Sequence, residues 1–460
     1  MILSAGNTSK SKTLSFGLVV GATSLAFVVS QLDVSIVNIA LPQISKSLHA
    51  TISTLQWIID AYTVAFAALM LSAGGMGDLL GSKRIFQIGF LVFGLASMGC
   101  GLSWSAASLI GFRGLQGIGA ATMIPSSLAI LNQAFSNDKP KRARAVALWT
   151  AAGSVSIAAG PILGGLLIHI SSWRMIFFVN LPICLIGLLL SMKLKTSKRQ
   201  LVRGFDIPGQ LTWPLGLIAL IAVIIEWHKL GIKDPLIYGG LIFSLVMFAS
   251  FIRIEKKAHA PILPLGLFSS PSFNVLLLLG TIVNGTYYGT VFVLSLYLQN
   301  VLHYPALKAG LAFLPLTAGF IISNLASGRV MAKYGTRVPI LIGLLIATIG
   351  FAGLLIAKTD TPYWQLFIPF LTIPIGMGLA VPAMTTGILA SVDKSLSGTA
   401  SAVLNTIRQA AGAMGVAIFG AMANGGPTAI VYAITTSSLI SVGCWIGVAV
   451  LIFKYLKHIE

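Results

Sequence analysis

The chain has 460 residues, 56% of them hydrophobic and only 9% charged, with a net charge of +19 and a mean hydropathy of +0.92. A soluble domain carries about a quarter charged residues, so the composition excludes a soluble globular domain and points to a polytopic membrane protein. The basic excess sits in short segments between apolar runs, where it sets membrane orientation and makes no nucleic-acid surface; no nucleic acid is expected as a partner.

Met1 to Lys12 is a short polar tail with no small-residue cleavage site after the first apolar run, and no removable signal peptide is expected. Apolar runs of about 20 residues count as spans. Fourteen are read, at 14–41, 51–73, 85–104, 107–133, 143–168, 174–193, 211–228, 236–253, 272–299, 307–332, 337–357, 363–390, 398–423 and 430–453. An even number puts both termini on one side. Of the 30 Lys and Arg, Lys46, Arg174, Lys229, Lys233, Lys308 and Lys358 fall on one side and Arg113 and Arg408 inside spans. The rest fall on the side of the termini, which is therefore expected to be cytoplasmic.

Span 1 carries Asp33 and span 2 carries Asp60, and of the 11 acidic residues these two lie deep. Asp33 precedes Pro42, and Asp60 follows Thr51, by nine residues. Each is therefore expected roughly 14 Å below the outer loop between them. If both face one cavity, repulsion and desolvation would let at least one take a proton, and a bound cation would compete for that place. The alternative is that each bonds a neighbouring helix or water. Trp57 and Tyr62 flank Asp60, and aromatic faces near a carboxylate suit a lipophilic cation.

After span 2 comes Gly74 to Arg84, read as a turn and a candidate gate, with Gly74, Asp78, Gly81, Lys83 and Arg84 as its working residues. A solvated loop would explain the basic pair but not Asp78. The same glycine register returns after span 10, at Gly328 and Gly335. The simplest parse is a repeat: a six-helix bundle over 1–193, a basic linker with a two-helix insert over 194–271, and a second six-helix bundle over 272–460. Parallel repeats of this kind place a substrate site near the midplane between them.

In span 4, Arg113, Gln116 and Gly117 share one helix face. A guanidinium stays charged and needs carbonyls, water or a carboxylate, so Arg113 either tunes the acid pair or makes a structural bond. Span 5 spaces Ser156, Gly160 and Gly164 by four, beside Pro161 and Gly165. Small residues at this spacing let helices approach closely, either as a passive ridge or as a sealing surface. Span 9 crowds Tyr287, Tyr288, Phe292 and Tyr297 after Asn284, with Met377, Met384 and Met414 as candidate adaptable walls; plain packing is the competing reading for each. Arg408 has no deep acid in the second half to pair with, and both a structural bond and a place in the substrate cavity are open to it. Cys100, Cys184 and Cys444 read as packed thiols, and no metal-ligand spacing occurs.

Leu32 to Pro42, Trp57 to Tyr62, Gly74 to Arg84, Leu109 to Ala121, Ser156 to Gly165, Trp173 to Pro182 and Asn405 to Gln409, taken in order, resemble the major facilitator superfamily. The match is to its fourteen-span drug:proton antiporters of the EmrB/QacA type. Gly74 to Arg84 is similar to the superfamily's motif A, with Met76 and Leu79 in place of the usual leucine and arginine. Leu109 to Ala121 is similar to motif B, whose arginine is implicated in proton transfer, and Ser156 to Gly165 to antiporter motif C, with serine at the first glycine.

The resemblance implies an all-α polytopic membrane protein, with the major facilitator fold as two six-helix bundles plus two extra transmembrane helices. It implies an antiporter of the bacterial inner membrane, not an enzyme, that exports lipophilic, cationic drugs or toxic compounds in exchange for protons. Asp33, Asp60 and Arg113 would couple protons or bind the cation. Trp57, Tyr62, Gln116, Asn284, Tyr287, Tyr288, Phe292 and Arg408 would line the cavity. No cofactor beyond the proton gradient is expected; substrates, protons and membrane lipids are the partners, with a periplasmic adaptor protein as a further candidate. A fourteen-span exporter of an endogenous metabolite and a non-transporting scaffold or sensor are the rival readings.

Overall fold

The computed structural model describes residues 15–194, 206–231, 233–258, 261–393 and 396–456. Fourteen helices among them are long and apolar enough to cross a membrane. They are α1 (Phe16–Leu48), α2 (Ile52–Leu80), α3 (Ser82–Gly101), α4 (Ala106–Ala134), α5 (Lys139–Ile170), α6 (Met175–Met192), α7 (Ile207–Leu230) and α8 (Pro235–Lys257). After a short 3-10 turn come α9 (Pro271–Val301), α10 (Ala306–Tyr334), α11 (Arg337–Ile356), α12 (Tyr363–Ala390), α13 (Ser397–Met422) and α14 (Pro427–Tyr455). The chain is a multi-pass membrane protein.

Two helices, α1 and α2, run farthest past their apolar runs, for one reason. Hydropathy marks where the bilayer ends, whereas a helix continues while its backbone hydrogen bonds can continue. α1 therefore runs past Pro42 to Leu48, where His49 in the left-handed conformation closes it (φ 51°) by donating to Ser45 O. α2 runs to Leu80, so the expected turn over Gly74 to Arg84 narrows to Gly81, whose φ of 93° glycine tolerates. The surroundings of Gly74 and the side chain of Asp78 lie outside what the structure describes.

Packing repeats with a shift of eight helices. α1 packs on α5, and α4 on both α2 and α3; then α9 packs on α13, and α12 on both α10 and α11. α6 touches α1 and α3, as α14 touches α9 and α11. The repeat extends to single bonds. Lys83, two residues after left-handed Gly81, donates to Met192 O (2.9 Å) and Leu194 O (2.6 Å) at the end of α6. Arg337, two residues after left-handed Gly335, donates to Phe453 O (2.7 Å) at the end of α14. In each half a basic residue after the glycine caps the carbonyl end of the sixth helix, where a positive charge is favoured.

α7 and α8 pack on each other, and α7 also lies on α2 and α13, one helix from each half. α8 is mostly exposed, with Leu236, Ile242 and Leu245 facing outward as a lipid-facing helix requires. The hydrogen bonds that cross between the halves among the described residues lie at the end poor in basic residues. Gln56 donates to Val416 O (3.0 Å) and Ala417 O (2.7 Å), Ser295 to Asn38 O (2.5 Å) and Gln299 to Ile39 O (3.0 Å).

Candidate functional site

Asp33 is completely buried inside the first bundle, in an ion pair with Arg113 of α4. Its Oδ1 also accepts from Gln116 Nε2 (2.7 Å) and from Asn180 Nδ2 (2.9 Å), and Ser97 Oγ bridges those two amides. Arg113 in turn donates from Nε to Ile58 O (3.0 Å) and from Nη1 to Gln116 Oε1 (2.7 Å), with its guanidinium 4.4 Å from the Tyr62 ring centre. Tyr62 completes the group through a 2.9 Å bond between its hydroxyl and Ser30. The helix-face pairing of Arg113 with Gln116 thus serves a closed network in which the carboxylate is neutralised.

Asp60 is equally buried but lies elsewhere. Along α2 it shares a face with Trp57, Val64 and Ala67, one to two turns apart. That face meets Ala410, Ala413 and Ala417 of α13 and Leu217, Ile221 and Ile225 of α7. Neither carboxyl oxygen has a hydrogen-bond partner among the described residues. A bare charge in such a seam costs several kcal/mol, a cost that a bound proton removes. At the edge of the seam Trp57 donates from Nε1 to Glu226 Oε1 on α7 at 2.9 Å. The two acids therefore do not face one cavity, because Asp33 turns to α3, α4 and α6 while Asp60 turns to α7 and α13.

The cavity between the halves lies on the other side of α1. Two adjoining pockets share Ile157, Tyr287, Tyr288, Leu316 and Thr317 in their linings. α1 contributes Gln31 to one and Val34, Ser35 and Asn38 to the other; the second half adds Asn284, Met377 and Arg408. Arg408 donates from Nε to Asn284 Oδ1 at 3.0 Å. Tyr287 and Tyr288 meet edge to face, 5.3 Å between ring centres.

Asn284, Tyr287, Tyr288 and Arg408 thus line the cavity. Trp57, Tyr62, Gln116 and Phe292 do not: Trp57 is held on Glu226, Tyr62 and Gln116 belong to the Asp33 network, and Phe292 is buried close to Gly420. Met384 is fully buried and Met414 packs in the α7 seam. No Asp or Glu lines the cavity among the described residues.

The α5 glycines divide between two partners. A methyl group on Gly164 would stand 2.8 Å from the Ile36 side chain of α1, and Gly160 abuts Ser35. Gly165 meets the other half instead, where its Cβ would stand 2.7 Å from Ala306 O, and Gly310 of α10 lies against Pro161. Ser156 bonds back to Ala152 O at 2.8 Å. Arg84 is exposed, as a residue facing headgroups or water would be.

Ser97 and Thr317 carried no sequence signal, and Ser35, Asn38 and Asn180 lay inside the stretches Leu32 to Pro42 and Trp173 to Pro182 without being singled out as site residues. Asn180 opens the longer segment of α6 just after a break at Val179, and its amide donates to Asp33.

Comparison with known proteins agrees with this architecture. The family described as Major Facilitator Superfamily matches residues 23–416. A methylenomycin A resistance protein of Streptomyces coelicolor is 32% identical over 404 residues, 88% of this chain and 85% of that protein. The puromycin resistance protein pur8 of Streptomyces alboniger is 34% identical, covering 90% and 82%. The multidrug resistance protein Stp of Mycobacterium tuberculosis is 33% identical, covering 87% and 74%. Among solved structures, a bacterial homologue of the lysosomal transporter Spinster superposes with a TM-score of 0.67 at 16% identity, covering 96% of this chain and 98% of that one. The nucleoside transporter NupG superposes with 0.65 at 12%, covering 96% and 100%. At these identities the two structures speak for the fold alone.

Proposed function

The chain belongs to the Major Facilitator Superfamily, and from that membership we propose that it exports lipophilic drug-like compounds from a bacterial cell in exchange for protons. The relatives named for resistance to methylenomycin A and puromycin support export of toxic small molecules. The observation that carries proton exchange is Asp60, a buried carboxyl group with no hydrogen-bond partner among the described residues, set in the seam where one half meets the other and the insert covers both.

In this reading the protein lies in the inner membrane, with the basic-rich end and both termini in the cytoplasm. Residues 1–193 rock against 272–460, and α7 rides on the seam. The structure would then be the state sealed toward the outside, held by Gln56, Ser295, Gln299 and the contact of Gly165 and Gly310 with the opposite half. Opening that end pulls α13 from α2 and wets Asp60, which can then exchange its proton with the outside. Closing carries the protonated carboxyl back into the apolar seam, and the cycle is completed when Asp60 gives that proton up to the cytoplasmic side as substrate enters, before the outer end opens again. Asp33, already neutralised by Arg113, holds the first bundle together and is not assigned the exchanging proton. Lys83, which caps the end of α6, and Arg84 beside it would brace the cytoplasmic end as the halves move. Lipid is the surrounding partner, a periplasmic adaptor is a candidate only, and no enzymatic step is part of the cycle.

A proton entering down one pH unit supplies about 1.4 kcal/mol, and each charge crossing 100 mV adds about 2.3 kcal/mol. The test is drug accumulation in everted vesicles carrying the protein, with and without an imposed pH gradient. Gradient-dependent accumulation supports export by antiport; accumulation indifferent to the gradient rejects it.

A further inference from the structure

Arg408 lines the central cavity, and no carboxylate neutralises it there among the described residues. We infer that the substrate received in this cavity bears an acidic group, a carboxylate or ionised phenol on an apolar body, which Arg408 holds. The inference rests on the exporter reading above and names its substrate class.

The two intramembrane arginines make the contrast. Arg113 uses Nε on a backbone carbonyl and Nη1 on a carboxylate and an amide, as a structural guanidinium does. Arg408 makes one side-chain hydrogen bond among the described residues, from Nε to Asn284 Oδ1. Neither of its Nη groups has a hydrogen-bond partner among the described residues. Its stem lies against Gly280, where an added methyl group would stand 3.2 Å from Cγ. The neutral Asn284 bond and the packed stem fix the fork and leave two parallel donors, the arrangement that receives a carboxylate in bidentate fashion.

The rest of the cavity agrees. Gln31, Ser154 and Thr317 offer neutral polar contacts, and Tyr287 and Tyr288 an aromatic wall. No carboxylate lines it among the described residues, and the nearest deep acids are consumed by Arg113 or turned to the α7 seam. A cationic guest would meet an uncompensated guanidinium at low dielectric, whereas an anionic one removes that cost. An exported anion also moves charge in the direction the membrane potential favours, adding to the proton's contribution.

The test uses three probes with one apolar body: pyrenebutyrate, pyrenebutanol and pyrenebutyl-trimethylammonium. Binding to the purified full chain is read by energy transfer from tryptophan, and transport in proteoliposomes under a pH gradient. The acid is expected to bind about tenfold or more tighter than the other two. Arg408→Gln should abolish that preference, bringing the acid and the alcohol to similar affinities, and Arg408→Lys should restore part of it. An unaltered far-ultraviolet circular dichroism spectrum and thermal unfolding midpoint show that the variant is folded. Equal or tighter binding of the ammonium probe, or acid binding unaltered in Arg408→Gln, overturns the inference. Gradient-driven transport of the ammonium probe but not the acid overturns it while leaving the exporter reading intact. Arg408-dependent acid binding with no gradient-driven transport of any probe supports it and rejects the exporter reading instead.

Discussion

Neutralising Arg113 should destabilise the first bundle more than almost any other single change, and removing Asp33 as well should restore much of the loss. Arg113→Gln leaves Asp33 with two neutral donors, Gln116 and Asn180, at a site with no solvent access. Breaking a buried ion pair from one side costs about 3–5 kcal/mol. The same variant forfeits the bond to Ile58 O, about 1 kcal/mol, and the contact with the Tyr62 ring, about 1–2 kcal/mol. Asp33→Asn alone strands the guanidinium and should cost a similar 3–5 kcal/mol or so. In the double variant Asp33→Asn with Arg113→Gln no charge remains, and only the loss of the Ile58 bond and the ring contact persists, about 2–3 kcal/mol. The coupling read from equilibrium unfolding in mixed micelles should therefore be at least about 3 kcal/mol in favour of the pair. Effects that add within about 0.5 kcal/mol would refute the claim that the two charges neutralise each other.

Three further outcomes follow from the same geometry. Gly165→Leu places carbon against Ala306 and Leu307 across the halves, so cysteine labelling near Asn38 should show the basic-poor end more accessible in this variant than in wild type. Glu226→Ala frees the Trp57 indole from α7 and should shift its fluorescence and loosen the insert against limited proteolysis, whereas Glu226→Gln, which keeps an acceptor, should do neither. Asp138 caps α5 by accepting from Lys141 N at 3.0 Å, and that backbone bond, helped by the Lys141 ammonium, holds its carboxyl below the ordinary range. A lowered folded-state value means the cap's contribution is fully present above the unfolded value of about 3.9 and is lost as pH falls below it. Amide exchange at Lys141 and Arg142 should therefore gain protection from the cap at neutral pH, lose it in strong acid, and lose it at all pH values in Asp138→Ala.

Span number and the repeat were legible because both rest on one-dimensional signals: apolar length, and glycines in register. The common face of Arg113 and Gln116 was legible because helical spacing sets it. The face each acid turns to was not. α1 is buried nearly all round, so no polar stripe separates the Gln31, Ser35 and Asn38 side from the Asp33 side. Equal depth therefore could not become a shared cavity. Tyr62 and Trp57 misled for a related reason: proximity to Asp60 along α2 says nothing about direction, and their helical positions carry them to Arg113 and to Glu226. The place of α7 across the seam depends on long-range packing, which no local pattern encodes.

The most direct measurement compares wild type with Asp60→Asn in proteoliposomes, following substrate exchange at equal concentrations and then accumulation under an imposed pH gradient. The seam account predicts that Asp60→Asn still exchanges substrate, because the cavity is untouched, but no longer accumulates it when the gradient is applied. Accumulation by Asp60→Asn equal to wild type would place the exchanging proton elsewhere and contradict it.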